Sequence, residues 1–316
     1  MKADPTRMHR YAKRMLIVTA VLVGLAAAIN VAVDPYSLYG WNRFGIFIGA
    51  ERECKQTWLK RIPHNAILMG SSKLGFVDPR TLEVYEFFNA SMGGAMPEEI
   101  EEYVRLHAPE GQPLVIGLDF FMMNEFCFPL RPSIKRDAAD YWVHYPLNLK
   151  ALEYCWHTVR KGLLRRPPVV TAWGQLNPEM TERKDATATQ VDYSDGIPYL
   201  EHHHLRNYTF SETRLERLRE LRRTLDTRKI PTVIVLNPMN EALRARIRER
   251  SDLEPQYQRW KAEMRGIFPD LIDLTESEYS KVQYFYKLDP LHFKPATGTE
   301  YLNKVIIPEL GRRHAQ

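Results

Sequence analysis

Apolar positions along the chain follow two regimes. The first is a single run, Met15 to Val33, in which only Thr19 and Asn30 carry polar side chains. A helix needs about 20 mostly apolar residues to cross the hydrocarbon core of a bilayer. The run therefore predicts a transmembrane helix over residues 15–33, behind a basic segment, residues 1–14. The second regime is a series of short apolar runs, most of them closed by Gly, Asn or Asp: Ala66–Met69, Phe87–Asn89, Pro113–Asp119, Pro231–Leu236 and Leu271–Leu274. Short continuous runs bounded by turn residues predict strands buried on both faces. Between them, mixed charge at helical spacing predicts helices over Glu51–Lys60, Met96–His107, Ser211–Thr227, Glu241–Glu249, Leu253–Met264 and Ala296–Leu310. Strands alternating with helices predict an α/β domain over residues 34–316, a flavodoxin-like doubly wound parallel sheet of about five strands.

The alternation fails between about 122 and 206, after the third strand. Aromatic, proline and basic residues mix there, among them Phe126, Trp142, Tyr145, Trp156 and Arg165-Arg166-Pro167-Pro168. A long stretch of this kind reads as an insertion with one or two helices, one near Leu147–Leu164, lying over the active face. Its rings would form either a small core of their own or a platform for apolar sugar faces.

Charge orients the apolar run. Arg7, Arg10, Lys13 and Arg14 precede it and Asp34 follows, which sets the N-terminus inward. Tyr36, Tyr39 and Trp41 then fall where an interfacial aromatic belt lies. The expectation is an uncleaved anchor in the cytoplasmic membrane with the domain on the extracytoplasmic, periplasmic side; cleavage near Ala26-Ala27-Ala28 would instead release it. The remainder, 44% hydrophobic and 26% charged overall, is ordinary globular composition. A net charge of +5, without a long basic block, gives no basis for a nucleic-acid partner. Cys54, Cys127 and Cys155 form no CxxC pair and predict buried thiols. His202-His203-His204 cannot all face one ion from a regular element, so neither a metal nor a cofactor is expected.

The candidate chemistry sits at two distant points. Ala66–Met69 opens into Gly70-Ser71-Ser72, and Asp289-Pro290-Leu291-His292 follows the last strand. In a doubly wound sheet both turns lie at the carboxyl edge, where such folds bind ligands. Ser72 would be the nucleophile and His292 its base. Asp289, three residues before the histidine, would orient the imidazole. The backbone N–H groups of Ser72 and Gly94 are candidate oxyanion donors, Gly94 because a residue without Cβ allows close approach.

These segments resemble the SGNH/GDSL hydrolase superfamily, and more closely its membrane-anchored extracytoplasmic branch, which includes proteins of alginate O-acetylation and teichoic acid D-alanylation. Gly70-Ser71-Ser72 is similar to the first block of that pattern, with Ser71 where many members have Asp. Asn89-Ala90-Ser91-Met92-Gly93-Gly94 is similar to the second block and Asp289-Pro290-Leu291-His292 to the fifth. Gly117-Leu118-Asp119 occupies the place of the third block, but puts Asp119 where the family has an oxyanion-binding Asn; Asn124 lies nearby. The resemblance implies an SGNH-type serine esterase or O-acyltransferase acting on acyl esters of cell-envelope polysaccharide, with envelope proteins as possible partners. Asp119 supports the alternative, a catalytically inactive module of the same fold that binds glycan or a protein partner.

Overall fold

Five short strands, β1 (Ala66–Met69), β2 (Phe87–Asn89), β3 (Leu114–Leu118), β4 (Thr232–Leu236) and β5 (Ile272–Asp273), form one sheet in the computed structural model. The structure describes residues 5–128 and 140–315. All four pairings are parallel and the order is β2-β1-β3-β4-β5, with Leu68 opposite both Asn89 and Val115, and Ile116 opposite Ile234. The order reverses between β1 and β3, so the loops leaving their carboxyl ends diverge and open a crevice.

The helices are, in chain order, α1 (Pro5–Val33), α2 (Glu51–Leu59), α3 (Ser72–Gly75), α4 (Pro97–His107), α5 (Leu149–Leu163) and α6 (Glu179–Thr187). They continue with α7 (Gly196–His203), α8 (Glu212–Thr227), α9 (Glu241–Glu249), α10 (Glu254–Ile267), α11 (Pro295–Tyr301) and α12 (Ile307–His314). Strand alternation divides the apolar runs between two cores. Ile67, Met69, Ile116 and Ile234 face one layer, shared with Tyr103 of α4, Leu218 of α8 and Trp260 of α10. Ala66, Leu68, Val115 and Val233 face the other, shared with Tyr301, Ile306 and Leu310 near the C-terminus. Burial on both faces explains why the strands read as unbroken apolar runs.

The described residues fall into two compact units, Met1–Thr57 with Lys135–Val169, and Trp58–Ile134 with Val170–Gln316. The sheet belongs to the second. The stretch read as one insertion thus contributes to both. Its α5 packs on α1 in the first unit, and its α6 and α7 belong with the sheet. The part over residues 129–139 lies outside the described residues.

In the first unit, α1 extends the apolar run back through Arg10, Lys13 and Arg14 as continuous helix. Its segment Met8–Val33, 26 residues, is long and apolar enough to cross a membrane. Immediately after it the chain turns at Asp34, in the left-handed region at φ +50°. The buried Asp34 carboxylate accepts the amides of Leu38 (2.8 Å), Tyr39 (3.0 Å) and Gly40 (2.9 Å) and the Tyr145 hydroxyl (3.0 Å). Burial pushes this carboxyl up to about 6 against the pull of those donors. Tyr36, Tyr39 and Trp41 join Trp142 and Tyr145 in one ring cluster, with centroids 4.9–5.7 Å apart.

One predicted helix contains a widened turn. Over Ala296–Leu310 the structure has α11, a widened π turn at Leu302–Ile306, and then α12. Pro308 lacks the N–H that a regular helix would give to Lys304, and the turn widens to absorb the loss.

Candidate active site

β1 ends at Met69, and the chain must turn at once to enter α3. Gly70 makes that turn possible: a Cβ there would stand 2.9 Å from the Gly117 carbonyl oxygen on β3. Ser71 caps α3, its Oγ accepting the Lys73 amide at 3.2 Å. Asn89 at the end of β2 fixes the far end of the same turn. Its side-chain amide donates to the carbonyls of Leu74 (2.9 Å) and Val77 (2.9 Å), and its oxygen accepts the Ser91 amide at 3.0 Å. Ser72 is left at the rim, half-buried.

There the structure brings together the residues that sequence reasoning pairs across the chain. Ser72 Oγ lies 2.8 Å from His292 Nε2, a separation of 220 positions in sequence. His292 Nδ1 lies 2.7 Å from Asp289 Oδ2, while Asp289 Oδ1 accepts the amides of Leu291 (2.9 Å) and His292 (3.2 Å). Burial raises the Asp289 carboxyl, but the adjoining His292 and the two amides outweigh it and hold the group below the usual carboxylate range. An ionised carboxylate only accepts, so Nδ1 carries the proton and the Nε2 lone pair faces the Ser72 hydroxyl. The imidazole rests on Phe76, with ring centroids 4.9 Å apart.

Gly94 sits at φ +57°, with the Phe128 ring 3.0 Å from where a Cβ would project. Among the described residues, neither the Ser72 amide nor the Gly94 amide donates to a protein acceptor. Both remain available to a ligand oxygen.

Asp119 faces a different set of groups. Its carboxylate accepts Ser71 Oγ (2.6 Å) and the Asn237 side-chain amide (3.2 Å), and pairs with Lys73 Nζ at 3.1 Å. Asn237 in turn accepts the Tyr301 hydroxyl at 3.3 Å, and Lys73 also donates to the Pro238 carbonyl at 3.1 Å. All of these side chains are buried. The negative charge at the third-block position is therefore matched by a cation and fully hydrogen-bonded. Asn124 is engaged elsewhere, holding the carbonyl of His204 at 2.9 Å.

Sequence reasoning missed Lys73 and Asn237. The only signal for Lys73 is a lone lysine placed directly after the candidate nucleophile and before Leu74, in a turn without any other charged residue. Asn237 follows β4 as an unremarkable strand-end asparagine.

Beside Asp289 and His292 opens a cleft of about 370 Å³. Tyr199 and Gly196 of α7 line it, with Tyr286 and Leu288 opposite. The Tyr286 hydroxyl is buried there without a partner among the described residues. A cleft of about 470 Å³ lies at the other edge of the sheet, near Ile230, Thr232 and Arg313, and holds no candidate nucleophile. His204 is buried against Phe121 and Phe128, with centroids 5.3 and 5.4 Å away. Among the described residues no His, Cys, Asp or Glu group could hold a metal ion, and all three cysteines are free and buried. Burial raises their thiols, Cys155 to about 11 and Cys127 to about 12.

The chain matches no protein-family model and no curated protein.

Proposed function

We propose that this chain is a membrane-anchored serine enzyme of ester chemistry, of SGNH type, working on acyl esters of cell-envelope polysaccharide outside the cytoplasm. The observation that carries the reading is the Ser72–His292–Asp289 relay, assembled from two turns 220 positions apart and open to a cleft. Chance proximity of a serine and a histidine does not also supply an ionised, doubly amide-bonded carboxylate on the far ring nitrogen.

In this reading Ser72 Oγ attacks the ester carbonyl while its proton passes to His292 Nε2. The amides of Ser72 and Gly94 receive the oxyanion. The intermediate collapses by breaking the bond to the alkoxy oxygen, which takes the proton from His292, and an acyl-Ser72 ester remains. His292 then removes a proton from an acceptor hydroxyl, whose oxygen attacks the acyl carbon and frees Ser72. Water as acceptor makes an esterase; a glycan hydroxyl makes an O-acyltransferase. The open cleft with Tyr199 and the unpartnered Tyr286 hydroxyl supports an acceptor larger than water.

A fluorophosphonate probe tests the reading. Labelling of the full chain that disappears in Ser72→Ala and His292→Ala is the expected result. An intact, folded protein that takes no label would replace the enzyme with a binding module. Offering an activated acetyl ester with and without candidate polysaccharides, and following the acetyl group, then separates hydrolysis from transfer.

A further inference from the structure

Helix α5 carries apolar surface that the described residues of its unit leave exposed. Its buried stripe is made of small residues, Ala151, Cys155 and Thr158, continued by Gly162. Cys155 Sγ lies 3.5 Å from Asn30 Oδ1 and 3.8 Å from the Ile29 carbonyl of α1, and Gly162 meets Phe44. A second stripe, Leu149, Leu152, Trp156, Val159 and Leu163, runs beside the first. At 100° per residue its five members fall within about 80° of the helix circumference. Leu149 is 78% exposed, Trp156 66% and Leu163 72%. No polar residue interrupts this arc.

Two observations indicate what covers it. First, the arc is continuous with the exposed apolar surface of α1. Val18, Leu22, Leu25 and Ile29 are all exposed there, and Trp156 is one residue from the Cys155–Ile29 contact. Second, the end of α5 is cationic. Arg160, Lys161, Arg165 and Arg166 cluster there, while the one acidic residue of the helix, Glu153, is paired with Lys150 at 2.9 Å. An amphipathic helix with Leu and Trp on one face and Lys and Arg beside it is the composition that settles into a bilayer interface. A second copy of the chain on this face would bring the same cationic cluster against itself.

We propose that α5 is a second membrane-contacting element. It lies in the bilayer interface with the Leu149–Leu163 arc at the acyl-chain boundary and Arg160, Arg165 and Arg166 on anionic lipid headgroups, while Lys161 donates to the Phe47 carbonyl. The inference rests on the reading that α1 spans the bilayer, and the two fail separately.

The test is spin-label accessibility on the full chain reconstituted in phosphatidylcholine vesicles, with and without phosphatidylglycerol. Single labels go at Leu149→Cys, Trp156→Cys and Leu163→Cys, at the polar control Glu153→Cys, and at Leu22→Cys on α1. The expected result is that the three arc positions collide with dissolved oxygen in preference to a water-soluble nickel chelate. Glu153 should show the reverse, and Leu22 the deepest oxygen preference. Phosphatidylglycerol should deepen the arc positions, and Arg165→Gln with Arg166→Gln should remove that lipid dependence. Arc positions open to the chelate while Leu22 is not would overturn the interfacial helix and leave the anchor. Chelate access at Leu22 would overturn the anchor itself. Arc positions shielded from both reagents, with or without dipolar broadening from a neighbouring label, would mean that protein covers the face, a second copy where broadening is present.

Discussion

At the residue scale, two carboxylates reach the Ser71-Ser72 turn in different ways, Asp289 through His292 to Ser72 and Asp119 directly to Ser71. Asp289 is held below the usual carboxylate range by the imidazole and two amides, and it bonds Nδ1 of the histidine whose other nitrogen meets Ser72. Asp119 is sealed under the nucleophile turn by Lys73, Ser71 and Asn237. The side chains of Lys73 and Asp119 are 5% and 2% exposed, so removing one partner strands a charge. Lys73→Met or Asp119→Asn alone should each cost about 3–5 kcal/mol, and the double variant should cost less than either, because breaking a buried pair is worse than replacing it. Denaturant unfolding of the four proteins checks this cycle. His204 gives a pH prediction. Burial, then the nearby His292 and His203, lower its imidazole to about 4, although Asp289 and Asp119 pull the other way. A group whose folded value lies below its unfolded one stabilises above the unfolded value, near 6.5, and loses that contribution as pH falls toward 4. His204→Leu should therefore flatten the acid limb of the stability curve, by up to about 3 kcal/mol below pH 4. Unfolding midpoints measured from pH 7 to 4 show it directly. The Ser72, His292 and Asp289 positions were legible from residue type and chain position alone. Lys73 and Asn237 were not, because a buried ion pair leaves no period in a sequence and its partners come from β1, β3 and β4 at once.

At the element scale, the sheet was legible and its consequences follow from register. Every strand run was readable because parallel strands covered on both faces leave no alternation to confuse. The turn after β2 was readable as a turn, but its conformation was not. Gly94 stands at φ +57° against the Phe128 ring, and a Cβ there adds both left-handed strain of about 1–2 kcal/mol and a steric push on the amide. Under the mechanism proposed above, Gly94→Ala should lower the rate of Ser72 acylation toward the roughly 10²–10³-fold loss that follows removal of one oxyanion donor. Its effect on KM should be small. Steady-state kinetics on an activated ester separate the two quantities. The C-terminal helix was legible but its π turn was not, because a helical period continues through such a turn; Pro308 marked its place. Within residues 122–206 the helix near Leu147–Leu164 was legible, as α5, but α6, α7 and the division of the stretch between two units were not. Its helices take their apolar partners from two units, α5 from α1 and α7 from the sheet domain, so no single core was present to be found.

At the scale of the whole molecule, the chain is threaded so that neither unit is contiguous. The first is closed by α5, which arrives only after three strands of the second have been made. Asn30, in the last turn of α1, donates both of its side-chain protons, one to the Pro146 carbonyl at 2.8 Å and one to that of Asn148 at 2.9 Å. The apolar helix is thus stitched to residues more than a hundred positions downstream. A shortened, water-soluble version beginning after Val33 would orphan two carbonyls and uncover the small-residue side of α5. Removing α1 is thereby a refolding problem rather than a trimming exercise, and the chain with α1 in place is the sound starting material for testing the proposed chemistry.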